Sequence, residues 1–355
     1  MNKVLSIIVP AYNVEAYLFD GLRSLVVADR TVFDALEVIV VNDGSIDRTG
    51  EIAHGFASEF PSVFKVLDKT NGNYGSCINA GLKIACGMYV RILDGDDSYD
   101  TSAFERYMRF VISETRSTNH CDVIFNDFNM VDSKGKILEC KSYDFIGRKG
   151  ATLADFDYKN GRMLWAPAIS YRLELLHRIG YAQTEGISYT DQEWDTIPMM
   201  YVESFAYCPE AIYRYLIGRS EQSCNDAVRL RNFAMHFPVA EKIIGRYTDE
   251  LNKGGDKYAN MRCVEMQIRS HIGDFYATYL VANSNSLDVK DLVKFDTFLK
   301  HTNMTLYQYA GNLSVLRYPL SFLYVREWRR KYTRRTFKFM LLKVYVTFRA
   351  WIPKM

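Results

Sequence analysis

The stretch Tyr89 to Asp100, YVRILDGDDSYD, sets four aspartates (Asp94, Asp96, Asp97 and Asp100) within seven positions, directly after an apolar run. Carboxylates crowded at the end of a buried strand repel one another, and a bound cation would relieve that repulsion. Alternate residues of an extended segment face the same way, so Asp94 and Asp96 project together, and Gly95 leaves room beside them. Two oxygen donors on one side of a strand end suit a hard divalent cation, Mg²⁺ or Mn²⁺. Magnesium takes one or two carboxylates and fills its remaining positions with water and substrate phosphates, which points to a nucleoside diphosphate as co-ligand. The competing reading is a solvated turn whose aspartates form turns and cap helices. The cluster's place, level with two other polar strand ends, favours the cation.

Those other ends are PAYN and NDGS. In VVNDGSIDRTG the carboxylate of Asp43 could accept a hydrogen bond from a base N–H, while Pro10 to Tyr12 supplies a wall and backbone amides. A turn followed by a helix cap is the plainer alternative. NGNYGSCINAG carries glycines that let backbone approach a ligand, without the GxGxxG spacing of a dinucleotide site.

The elements that must position these ends alternate. KVLSIIVPAYN, LEVIVVNDGS, SVFKVLDK and MYVRILDGDD read as strands. Between them AYLFDGLRSLVVA, DRTGEIAHGFASEF and SCINAGLKIAC read as helices, with Asp47 a cap and Glu51 in a first turn. The alternation implies an α/β fold with a largely parallel sheet covered on both faces, which gathers ligands at the carboxyl ends of its strands. Further on, CDVIFNDFNMVD and GKILECKSYDF read as strands and AISYRLELLHRIG as a helix closed by Gly180. SYTDQEWDTIPMMYV reads as a loop opening a short helix, and ESFAYCPEAIYRYLI as an edge hairpin. From about Asp226 the periodicity is helical, giving three expected parts: 1–225, a helical region 226–320, and a tail 321–355.

Composition agrees with a folded chain: 48% of the 355 residues are hydrophobic and 24% charged. The seven cysteines are scattered without a CxxC pair, so reduced thiols in a cytoplasmic compartment are expected rather than a zinc ribbon or a disulfide framework. The six histidines show no paired ligand spacing. The opening segment lacks the features of a signal peptide, and no run of about 18 apolar residues is free of charge. The net charge of +2 hides a split, because residues 326–354 hold ten Lys/Arg against Glu327, leaving about −7 for the remainder. That basic, aromatic tail suits an anionic membrane surface on which it lies without crossing. No recognised nucleic-acid module accompanies it, so no nucleic-acid partner is expected.

Taken together, SIIVPAYN, EVIVVNDGSIDRT, NGNYGSCINAGLKIACGMYVRILDGDD and SYTDQEW resemble the family 2 glycosyltransferases in order and separation, over roughly residues 1–220. The resemblance implies the GT-A fold, a Rossmann-like mixed sheet, and an inverting transfer of a hexosyl type from a nucleotide-diphosphate sugar. By position, Pro10, Tyr12 and Asp43 would hold the base, usually uracil. Asp94 and Asp96 would form the DxD-type element, with Asp96 the more direct metal ligand and Asp94 nearer the ribose and sugar. The family's acceptor-side motif usually reads Glu-Asp, and here it is Thr190-Asp191. Asp191 would be the general base, with Asp195 in reserve one helical turn on, and Arg219 would meet the diphosphate. The implied partners are a UDP-sugar and a glycan or lipid-linked acceptor in polysaccharide assembly at the inner face of the cell membrane, with oligomerisation possible. The rival class on a similar sheet, the sugar nucleotidyltransferases, carries a Gly-rich, Arg-containing loop where this chain has PAYNVEAY. A non-catalytic nucleotide-sugar-binding protein would be expected to have lost the carboxylates.

Overall fold

The computed structural model describes residues 3–116, 120–156, 163–218, 226–254, 259–280, 287–314 and 322–330. The chain divides into two units, Met1–Asn225 with Lys257–Val264, and Asp226–Asp256 with Glu265–Met355.

The first unit is built on a nine-stranded sheet: β1 Leu5–Ala11, β2 Leu36–Asn42, β3 Phe64–Asp68, β4 Tyr89–Ile92, β5 Ser98–Tyr99, β6 Val123–Val131, β7 Ile137–Lys141, β8 Ile169–Arg172 and β9 Phe205–Leu216. The strands run in the order β3-β2-β1-β4-β8-β6-β9-β5, with β7 paired on β6. Strands β3, β2, β1 and β4 are mutually parallel. Every residue of β1 and β2 is buried, as continuous Val/Ile runs covered on both faces require. Helices α1 Leu18–Arg23, α2 Arg30–Asp34, α3 Thr49–Glu59, α4 Asn73–Ile84, α5 Thr101–Glu114, α6 Leu173–Arg178 and α7 Asp191–Thr196 complete the unit. In α5 the apolar residues Ala103, Phe104, Tyr107, Met108 and Val111 recur at helical spacing and are all buried, behind an Asp100 cap whose carboxylate accepts from Ala103 N–H.

The other half of the sheet departs from the expectation in two places. Residues 169–172, expected as the start of a helix, form β8, antiparallel to both β4 and β6, and the helix begins only at Leu173. Four residues are too few for helical and strand periods to be told apart, and pairing with two neighbours decides the outcome. The expected hairpin is a single strand, β9, parallel to β6 and antiparallel to β5. Pro209, which has no N–H to give a ladder, lies where the register jumps from Asn126↔Cys208 to Asp127↔Ala211, so the strand bulges instead of turning back. The sheet is therefore mixed and not largely parallel.

At the amino-terminal ends of β1 and β2 a fully buried carboxylate, Glu37, accepts from Ser6 Oγ (2.5 Å), Lys65 Nζ (2.6 Å) and Cys86 N–H (2.9 Å). Burial works against its charge, but these donors outweigh burial and hold its pKa below the ordinary carboxylate range.

The second unit is helical: α8 Asp226–Arg231, α9 His236–Asn252, α10 Ala259–Leu280, whose first residues are counted with the first unit, α11 Val289–Thr302, α12 Met304–Gly311 and α13 Tyr324–Arg329. Its core includes Phe275 stacked on Phe295 at 4.6 Å. Residues 324–329, expected within the tail, are built into this unit. Tyr324 and Val325 are buried, and Arg329 pairs with Asp296 at 2.6 Å and stands 3.5 Å over the Tyr307 ring. The remainder of the expected tail, residues 331–355, lies outside the described residues. Among the described residues no helix is long and apolar enough to cross a membrane, and the six cysteines are unpaired.

Replacing Glu37 by Ala strands the buried Ser6 hydroxyl, while the half-exposed Lys65 and the exposed Cys86 can turn to water. Each buried unsatisfied group costs about 1–3 kcal/mol, so a clear fall in the urea midpoint is expected. In the parent chain Glu37's contribution is present at neutral pH and is lost as pH falls through its lowered folded pKa. Acid titration of stability should therefore steepen in the parent and flatten in Glu37→Ala.

Candidate active site

Strand β4 ends at Ile92, and Leu93 N–H still donates to Ile8 O (3.0 Å), which delivers Asp94 just beyond the carboxyl edge of β1. A Cβ added to Gly95 would lie 2.8 Å from Pro10 O, so only glycine lets the chain cross the end of β1 this closely. Asp94, Asp96 and Asp97 each bring one carboxylate oxygen within 4.8 Å of the others. The three are not equivalent. Asp97 is buried, accepting from the Tyr213 hydroxyl (2.8 Å) and Leu216 N–H (2.7 Å), so it straps the turn after β4 to β9. Burial and then the charge of Asp94 push its pKa well above the usual range. Asp100 is spent on capping α5. Asp94 and Asp96 remain half-buried at the surface of the corner, an all-oxygen donor pair that fits a hard divalent cation.

Pro10 and Ala11 close β1, and the loops after β1 and β2 are stitched together: Ile46 N–H donates to Asn13 Oδ1 (2.9 Å) and Val14 N–H to Thr49 Oγ1 (2.8 Å). Tyr12 stands 51% exposed beside them. Asp43 is buried, and its Oδ1 accepts from Lys69 Nζ (2.5 Å) and Gly72 N–H (3.0 Å). Lys69 also donates to Ser76 Oγ (2.9 Å). Sequence reasoning passed over Lys69, although asking what neutralises a buried Asp43 would have led to the cation one residue past β3.

Asp191 is the first residue of α7, carried in by a loop that α4 holds in place. Asn79 Nδ2 donates to Gln183 O (2.9 Å) and Gln183 N–H returns to Asn79 Oδ1 (2.7 Å). Buried Glu193 accepts from Thr184 N–H (3.0 Å) and Oγ1 (2.6 Å). Thr190, where the family pattern has glutamate, is buried and donates to Gln183 Oε1 (3.0 Å). The Asp191 side chain reaches solvent, yet it stands among dense protein, and that desolvation, followed by the charge of Asp94, pushes its pKa up to about 6. Asp195 is 8% exposed, its Oδ1 has no hydrogen-bond partner, and burial, then Asp191, then Asp94 raise its pKa well above the usual range. Of the three acids on α7, Asp191, Glu193 and Asp195, only Asp191 is open to a substrate.

Pro10, Tyr12, Asp43, Asp94, Asp96 and Asp191 thus lie around the carboxyl edge of β1, β2 and β4, while Arg219 lies outside the described residues. Two residues at this edge had no assigned role: Tyr74, whose hydroxyl donates to Asp94 Oδ1 (2.9 Å), and Tyr213, which also accepts from Asp94 N–H (3.1 Å).

Comparison with known proteins agrees with this geometry. The chain is 36% identical over 124 residues to the uncharacterized glycosyltransferase EpsJ of Bacillus subtilis, covering 35% of this chain and 33% of EpsJ. It is 36% identical over 110 residues to the minor teichoic acid biosynthesis protein GgaB of the same organism, covering 31% of this chain and 12% of GgaB. The chain therefore spans about a third or less of these relatives. A solved structure of S. aureus TarS 1–349 in complex with UDP-GlcNAc superposes with a TM-score of 0.63 at 21% identity, over 85% of this chain and 82% of that one, which identifies the fold as GT-A. Residues 6–180 match glycosyl transferase family 2, and through them the chain belongs to that family.

Proposed function

We propose that this chain transfers a sugar from a nucleoside diphosphate, UDP in the first instance, to a hydroxyl acceptor in the assembly of a cell-surface glycan, by a single inverting displacement. The observation that carries this reading is the placing of an open carboxylate, Asp191, at the same strand edge as the Asp94–Asp96 corner; desolvation and then the charge of Asp94 raise its pKa to about 6. A base with that pKa is ionised at neutral pH and retains enough proton affinity to assist a hydroxyl. The fold shared with a protein solved with UDP-GlcNAc, and the likeness to a teichoic acid biosynthesis protein, support the donor and acceptor classes.

Asp43, held by Lys69, and Pro10 and Tyr12 would receive the base, with the exposed Tyr12 ring forming the wall. Asp94 and Asp96 would hold Mn²⁺ or Mg²⁺, whose chemistry there is to neutralise charge on the departing diphosphate. On the acceptor side Asp191 removes the hydroxyl proton as attack proceeds. One base opposite one leaving group gives inversion. The seven cations of residues 331–355, interleaved with aromatics, would rest on an anionic membrane that presents a lipid-linked acceptor.

Asp191→Asn should lower kcat by about 10²- to 10⁴-fold while calorimetry still detects UDP-sugar binding; an unchanged kcat would remove Asp191 from this role. Because the Asp191 pKa is raised, its base form is lost as pH falls through about 6, and kcat/KM should decline about tenfold per unit below that. In Asp96→Ala, metal-dependent donor binding should vanish, and a calorimetric titration with intact affinity would refute the cation assignment.

A further inference from the structure

The first turn of α4, residues 72–75, touches three parts of the site at once. Gly72 N–H donates to Asp43 Oδ1 (3.0 Å), and Gly72 O accepts from Gly186 N–H (2.9 Å) in the loop before Asp191. Gly75 packs so closely on that loop that an added Cβ would lie 2.0 Å from Thr184 O. Between these two backbone contacts the Tyr74 hydroxyl reaches out and donates to Asp94 Oδ1 at 2.9 Å. A turn anchored at both ends holds this hydroxyl on a short tether, so it is set before any ligand arrives.

A free carboxylate rotates and can offer a cation either oxygen or both. An O–H donor on one oxygen stops that rotation and fixes which oxygen is left to face a cation. We propose that Tyr74 is a positioning residue for the cation corner: its hydroxyl fixes the Asp94 carboxylate so that Asp94 and Asp96 present a preset pair of oxygens to Mn²⁺ or Mg²⁺. The inference rests on the cation reading of that corner. Hydrogen-bond partners of metal-ligating groups typically contribute 10- to 100-fold in metal affinity or activity.

The test is a titration of Mn²⁺ alone into the full chain, with free Mn²⁺ read by electron paramagnetic resonance, for the parent, Tyr74→Phe and Asp96→Ala. Phenylalanine keeps the ring and removes only the hydroxyl. The parent should bind, Asp96→Ala should not, and Tyr74→Phe should bind about 10- to 100-fold more weakly with an unchanged metal-free melting temperature. In turnover, excess Mn²⁺ should restore the Tyr74→Phe rate toward that of the parent, which it would not do for a residue that merely fills space. Equal affinities in the parent and Tyr74→Phe, or a rate deficit that excess Mn²⁺ leaves unrepaired, would overturn the positioning role while leaving the cation site standing. If the parent binds Mn²⁺ no better than Asp96→Ala, the cation reading itself fails and this inference falls with it.

Discussion

Mutual repulsion among acids is the constraint around which the first unit is arranged. Asp97, Asp191 and Asp195 each feel the charge of Asp94, which makes their ionisation harder. The fold divides the load. Asp97 and Asp195 are withdrawn into protein, and burial there raises the pKa of each. Asp94 and Asp191 are left where solvent or a ligand reaches them. Two acids thus shape the corner from behind while two others stay open.

That division explains the contrast along a single short stretch of chain. Asp94 and Asp97 are three residues apart, and Asp94 O accepts from Asp97 N–H (3.0 Å) in a turn that sends the second carboxylate back toward β9. There Tyr213 serves both acids, donating to Asp97 and accepting from the N–H of Asp94. A backbone amide and a side chain are thereby fixed through one phenol, and the surface corner is tied to a strand paired on both sides.

How much of this was legible depended on distance along the chain. The parallel strands and their polar ends could be read locally, because a buried run followed by Pro-Ala-Tyr-Asn, Asn-Asp-Gly-Ser or Asp-Gly-Asp-Asp is a signal contained within about ten residues. The pairing of Asp97 with Tyr213 joins residues 116 apart, and nothing around Tyr213 advertises a partner. Strand β8 is set by neighbours on both sides and not by its own four residues, and β9 hides a bulge behind Pro209. Asp96 and Asp97, adjacent in sequence, could not be separated into open surface acid and buried strut until β9 was in place.

The Thr190-Asp191 pair, where the family pattern has Glu-Asp, follows from the same logic. A second carboxylate beside Asp191 would add charge to a corner that is already crowded, whereas Thr190 is neutral and donates to Gln183. A carboxylate does support this loop, but it is Glu193, two residues beyond Asp191 and wholly buried, where Thr184 supplies both a backbone and a side-chain donor. The loop is thereby tied down from within the protein and Asp191 stays open. Since Gln183 is itself bonded reciprocally to Asn79 of α4, the helix whose first turn meets Asp43 and Asp94 also sets the approach of Asp191. Asp43, the Asp94–Asp96 corner and Asp191 are therefore positioned from one element, and their relative geometry does not depend on three independently mobile loops.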